Sequence, residues 1–260
     1  MKKRLICVGA IAGALLVAGA AFYFVAVNPH VRMKLDILRC YESFGVEGLG
    51  TAAQPFTEYS VADTSFVTVE TPHYSFGIPK YFTEAIQDNA EFIVYRAPKG
   101  GNEYGESVGL QREGENAFDM AILNQQALSE GKKRKLLKGY ERLGYGIPDT
   151  DYASLKCAFL ITEDDYSYVN QNQSEAFVLL VPYRTGSAFF YSTGNSTTYL
   201  YETEKMNALI SESYHRDWDL YVYYVQFYHP EDLDTPYTAI LKTKTPQTAY
   251  AILNSISFHE

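Results

Sequence analysis

The distribution of apolar positions along this chain is uneven, and the first apolar run is the longest. Residues 5–27 contain no charged side chain and follow directly on Lys2, Lys3 and Arg4. A helix over that run would be about 34 Å long at ~1.5 Å per residue, enough to cross a hydrocarbon core of about 30 Å. The pattern therefore predicts a transmembrane signal anchor over 5–27 behind a short head at 1–4. Asn28-Pro29 closes the run. Val31, Leu35, Leu38 and Tyr41 then recur at helical spacing, and Gly45, Gly48 and Gly50 stop that helix, so 28–63 reads as a juxtamembrane helix followed by a linker.

From residue 64 the apolar runs shorten, and one domain is expected over 64–260. Phe66-Val67-Thr68-Val69 and Tyr74-Ser75-Phe76-Gly77-Ile78 read as a hairpin, and 92–95 and 107–110 as further strands. A helix is predicted over 116–130, and a second, basic one carries Lys132, Lys133, Arg134, Lys135 and Lys138 and ends near Gly139. Three strands follow at 154–162, 175–181 and 187–192. Thr203 then caps a helix carrying Met206, Leu209, Ile210 and Tyr214, and 217–228 forms the longest strand. Thr245-Pro246 opens an amphipathic closing helix with Ala249, Ile252, Leu253 and Ile256.

On the 217–228 strand, alternation sends Trp218, Leu220, Val222 and Tyr224 to one face and Asp219, Tyr221, Tyr223, Val225 and Phe227 to the other. Both sets are mostly apolar or aromatic, as expected of a central strand covered on both sides. Tyr223 is therefore expected in the core. Tyr228, beside His229-Pro230, is expected at an exposed end.

Charge refines the picture. The basic head holds three of the 22 Lys and Arg residues, so 28–260 carries 19 against 31 acids, a net charge of −12. A surface of that sign repels nucleic acid and anionic lipid. The head is answered by Arg32, Lys34 and Arg39 beyond the run, which leaves orientation undecided by charge alone. So short a basic head is typical of anchors whose N-terminus stays in the cytoplasm, which places the domain outside it. The same features also describe a cleavable signal, with Ala18-Gly19-Ala20 as the cleavage triplet. Cleavage there would expose Ala21-Phe22-Tyr23-Phe24-Val25-Ala26-Val27, and this favours the uncleaved anchor. Gly9 and Gly13 offer a small-residue face for a homodimer, although such spacing is common in any membrane helix. Of three cysteines, Cys7 lies in the anchor, so only Cys40 and Cys157 can pair.

Together the Tyr74-Ser75-Phe76-Gly77-Ile78-Pro79 hairpin strand, the strand-rich middle and the closing Ala251-Ile252-Leu253-Asn254-Ser255-Ile256-Ser257-Phe258 resemble the Mog1/PsbP-type α/β/α sandwich over 64–260. The resemblance implies an α+β fold, an antiparallel sheet with helices packed on both faces, in which binding and accessory roles are common. It carries over no catalytic residue.

Candidate chemistry is sparse. Gly105-Glu106-Ser107-Val108-Gly109 matches the nucleophile elbow of serine hydrolases, but that elbow needs an apolar strand before the serine and a helix after it. Here a polar stretch precedes and a strand-like one follows. His215, His229 and His259, with Asp217 or Asp232, are the groups from which a triad would be completed. The acidic run at 163–165 lacks the ligand spacing of a calcium loop, no histidine or cysteine pair has zinc spacing, and no phosphate or dinucleotide loop occurs. No metal or cofactor is expected. Tyrosine is abundant, 23 residues, and Tyr199, Tyr201 and Tyr228 are the candidates for a recognition surface, since a phenol can lie against a sugar or a peptide with its hydroxyl in water. The expected function is a membrane-anchored extracytoplasmic binding or accessory module whose partner is a protein or a cell-envelope polymer. A cell-surface hydrolase using Ser107 and a structural subunit of a membrane complex are the alternatives.

Overall fold

The computed structural model describes residues 13–24, 28, 31, 54–56, 65–88, 92–98, 105–112, 130–142, 144–160 and 197–259. Residues 13–24 are helical and exposed, and no helix among the described residues is long and apolar enough to cross a membrane. The rest of the expected anchor, Gly9, Cys40 and the expected elements at 116–129, 175–181 and 187–192 lie outside the described residues.

The described chain is mostly strand, and this overturns the expected single sheet with helix layers on both faces. Among the described residues eleven strands form two sheets. The larger has the order β1-β7-β8-β9-β10-β6-β5-β4, and the smaller is β11-β3-β2. The strands of the larger sheet are β1 (Gln54–Pro55), β4 (Glu84–Asp88), β5 (Phe92–Arg96), β6 (Ser107–Arg112), β7 (Thr197–Glu202), β8 (Asn207–His215), β9 (Leu220–His229) and β10 (Asp232–Thr243). Those of the smaller are β2 (Phe66–Glu70), β3 (Tyr74–Pro79) and β11 (Ser257–Phe258). Pairing is antiparallel throughout except for the short parallel ladder of β1 on β7. The larger sheet is thus two meanders, β4-β5-β6 and β7-β8-β9-β10, joined where β6 meets β10.

Residue parity decides which side chains share a face. On one face Ala208, Ile210, Tyr223, Val225, Phe227, Tyr237, Ala239, Leu241, Val108 and Leu110 pack against Tyr74, Phe76 and Ile78 of the small sheet and Ala249, Ile252 and Leu253 of helix α3 (Pro246–Asn254). On the other, helix α2 (Asp151–Leu160) sets Tyr152 against Tyr228, ring centroids 5.3 Å apart. Helix α1 (Glu130–Arg142) runs through Gly139 rather than ending there and buries Tyr140, while Arg134 and Lys138 stay exposed. Tyr223, in the middle of β9, has no exposed surface.

Helix α3 follows its sequence signals. Thr245 is the N-cap, its side chain accepting from the Thr248 amide at 3.4 Å, and Pro246 opens the first turn. At the other end Ser255 Oγ donates to the Ile252 carbonyl at 2.6 Å and accepts the Gly77 amide of β3 at 2.7 Å. A glycine gives this approach its room. A Cβ on Gly77 would stand 3.2 Å from both Phe66 Cδ1 and Ser255 Oγ.

Two expected elements change type. The helix predicted after Thr203 is β8, because residues 208–211 are buried in succession on both faces of the strand, which removes the period-two alternation and leaves Met206, Leu209, Ile210 and Tyr214 at helical spacing. Thr203 serves the β7–β8 hairpin instead. Its Oγ1 accepts the Lys205 and Met206 amides, both at 3.2 Å, the same chemistry that caps a helix. The strand predicted at 154–162 is α2, whose start is held by Thr150 Oγ1 on the Ala153 amide and Asp234 Oδ1 on the Asp151 amide. The expected linker also changes at residues 54–56, which dock on β7. Trp218 leaves the expected β9 face, because 216–219 is a turn in which Asp219 takes φ 52° and accepts the Tyr214 hydroxyl at 2.6 Å.

Candidate functional site

Ser107 is the first residue of β6, preceded by Gly105-Glu106 and followed by strand, so the sharp strand-to-helix turn of a nucleophile elbow is absent there. Its neighbour Glu106 faces the opposite way and is buried. One carboxylate oxygen, Oε1, accepts the Lys244 amide at 2.9 Å and the Tyr81 hydroxyl at 3.2 Å. The carboxylate thereby ties the β2–β3 sheet's outgoing loop to the entry of α3. Burial, and then the charge of Glu106, push the Tyr81 phenol up to about 12.

The histidines do not converge on Ser107. Ser107 is level with Lys242 and, through it, with Val222, while His229 lies seven residues further along β9, about 23 Å away at ~3.3 Å per residue. His215, on β8 beyond β10 and β9, pairs with Leu220 of β9 and stacks on Trp218 with centroids 4.5 Å apart. His229 and His259 line an open groove of about 660 Å³ with Glu204, Lys205, Glu231 and Phe258. Within it His229 Nδ1 accepts the Glu231 amide at 3.0 Å, and His259 Nε2 lies 3.2 Å from Glu70 Oε2. No group of three metal-ligating side chains occurs among the described residues. Cys157 is a free, half-buried thiol whose pKa burial raises, which makes it a poor nucleophile at neutral pH.

The three tyrosine candidates separate into two places. Tyr228 is fully buried under α2, and its hydroxyl has no hydrogen-bond partner among the described residues. Sequence reasoning placed it at an open strand end, but Pro236 of β10 pairs beside it and α2 closes over it. Tyr199 and Tyr201 stand together on β7, facing the same side as Tyr223 and Tyr250. Between them sits Phe56, with centroids 5.7 Å from Tyr199, 5.4 Å from Tyr201 and 4.6 Å from Tyr250, all edge-on. Its amide donates to the Leu200 carbonyl at 2.9 Å. The floor of this receptacle is polar. The Tyr250 hydroxyl donates to Glu212 Oε2 at 2.7 Å, and burial followed by Glu212 raises the phenol's pKa far above its ordinary range. Tyr223 shifts the same way, from burial first and the Glu212 charge second.

Sequence reasoning missed Phe56, which it assigned to a linker. The one local signal was an aromatic residue directly after Pro55, in a stretch otherwise short of apolar side chains. No protein-family model and no curated protein sequence matches the chain.

Proposed function

We propose that this chain is a binding module rather than an enzyme, and that its recognition element is the outer edge of β7 with Tyr199 and Tyr201. The observation that carries the reading is the seating of residues 54–56. An extended segment already adds to this edge as a strand, with a backbone hydrogen bond for affinity and one aromatic side chain in a tyrosine receptacle for selectivity, the two components of β-strand addition. The ligand class is therefore an extended polypeptide bearing an aromatic side chain. Ser107 takes no part, since it opens a strand rather than sitting on a nucleophile elbow and none of the described histidines converges on it. The uncharged run at 5–27 behind a basic head supports a location at a membrane, with the domain outside the cytoplasm.

The test supplies the segment in trans. A labelled peptide covering residues 51–60 competes in the unaltered chain against the tethered copy, whose effective concentration is on the order of millimolar. In Phe56→Ala the receptacle is vacated, and the peptide is expected to bind at least ~10-fold more tightly, while the peptide with Phe56→Ala binds to neither protein. Equal binding to both proteins, or equal binding of the two peptides, would refute the reading. Location is tested by fractionation: release of the protein from membranes by alkaline carbonate counts against membrane attachment.

A further inference from the structure

The face of the larger sheet opposite the main core carries a row of side chains set side by side by register: Arg96 on β5, Ser107 on β6 and Lys242 on β10. Adjacent residues in such a row have backbones ~5 Å apart, so the two cations flank one hydroxyl and their long arms can meet above it. All three are half-exposed. The arrangement is unusual for its charge. On a chain of net charge −9, two cations stand together, and among the described residues no carboxylate pairs with either. Glu84 is level with Arg96 at the outer end of the row, yet the two form no ion pair, and Asp219 in the nearby turn is engaged by the Tyr214 hydroxyl.

Lys242 is also held in place. Its Nζ lies 5.1 Å from the centroid of the Trp218 ring, and His215 stacks on the same ring. Burial, and after it the positive charge of Arg96, lower the pKa of Lys242. Two like charges kept together at an energetic disadvantage, with a hydroxyl between them and an aromatic ring positioning one of them, have the composition of a site that an anion completes.

We propose that Arg96, Ser107 and Lys242 form a binding site for a tetrahedral oxyanion, a phosphate or sulfate group of charge about −2. The guanidinium supplies a planar pair of donors, the ammonium a point charge, and the Ser107 hydroxyl a hydrogen bond between them. A dianion balances both cations, whereas a monoanionic diester leaves one unbalanced, so monoesters and the free dianions are preferred. The site is separate from the β7 edge and does not depend on it.

Calorimetric titration of the purified chain with inorganic phosphate, inorganic sulfate, glycerol 1-phosphate and dimethyl phosphate tests the proposal, with thermal melts in the same solutions. Expected is binding of the first three, dimethyl phosphate at least ~10-fold weaker, and a melting temperature that rises with phosphate. Arg96→Gln combined with Lys242→Met should reduce phosphate affinity at least ~10-fold and abolish the phosphate-dependent rise, while melting no lower than the parent in phosphate-free buffer, because a like-charge pair is gone. Ser107→Ala should weaken binding severalfold with an unchanged melt. Absence of binding by the parent chain overturns the proposal, as does phosphate binding that survives the double substitution. If the double variant fails to fold, Lys242→Arg serves instead: it keeps the charge and should retain phosphate binding, whereas Lys242→Gln should lose it, and equal binding by the two overturns the proposal.

Discussion

Replacing Tyr228 by phenylalanine should make this protein more stable, and replacing it by alanine should make it much less so. The side chain has no exposed surface, its ring lies edge-on to Tyr152 at 5.3 Å, and its hydroxyl is buried without a hydrogen-bond partner among the described residues. Burial first, and then the charges of Asp151, Tyr152 and Asp234, drive its pKa well above the ordinary 10.0, so the group is a neutral, desolvated hydroxyl. A hydroxyl buried without a partner costs about 1–3 kcal/mol in protein mutational data, and Tyr228→Phe removes that cost while keeping the ring. For a domain of this size each kcal/mol moves the melting temperature by about 2–4 °C, so a rise of roughly 2 to 12 °C is expected in a calorimetric or circular-dichroism melt. Tyr228→Ala opens a cavity under α2 and should cost about 3–5 kcal/mol. A Phe variant that melts below the parent would mean that the hydroxyl is satisfied, and an Ala variant that melts with the parent would mean that the strand end is open.

Further outcomes follow from the same geometry. Gly77→Ala should destabilise by about 1–3 kcal/mol by overpacking against Phe66 and Ser255, measured by denaturant unfolding, and adding Ser255→Ala should recover part of the loss. Raising the pH should unfold the protein. Tyr81 has a folded pKa of about 12 against 10.0 unfolded, so its stabilising contribution is complete below pH 10 and is lost as pH rises from 10 towards 12, and Tyr140, Tyr152 and Tyr250 shift in the same direction. Tyrosinate absorbance and loss of secondary structure should therefore rise together, and phenols that titrate while the fold persists would contradict this. Ser107 should not react with a fluorophosphonate, and labelling that disappears in Ser107→Ala would restore the hydrolase reading.

The parts of the fold legible in the sequence are those whose signals are local. The β2–β3 hairpin, β5, β6 and α3 appear where alternation, a turn or the Thr245-Pro246 cap announces them. Where both faces of a strand are buried, alternation disappears. Met206, Leu209, Ile210 and Tyr214 therefore fit helical spacing although residues 207–215 are strand. β10 went unassigned because Asp232, Asp234 and Pro236 mask its start, and the pairing register does shift between Asp232 and Pro236. At the site, the polar approach to Ser107 was readable, since an elbow is a matter of adjacent residues. The Phe56 receptacle and the Arg96–Ser107–Lys242 row were not. Each joins residues far apart in sequence, and only the strand order β7-β8-β9-β10-β6-β5 makes them neighbours.

That strand order also governs when the protein can fold. β6 acquires its partner β10 only after more than a hundred intervening residues have been made, and β3 gains β11 later still, from Ser257–Phe258. During synthesis β2 to β6 exist with an unpaired edge and with apolar faces awaiting the second meander and α3, a condition that favours binding to chaperones or to other chains. Assembly is then governed by the last-made strands, and the high sequence separation of these contacts places the protein among slow-folding β topologies, with refolding expected on the millisecond-to-second scale or slower.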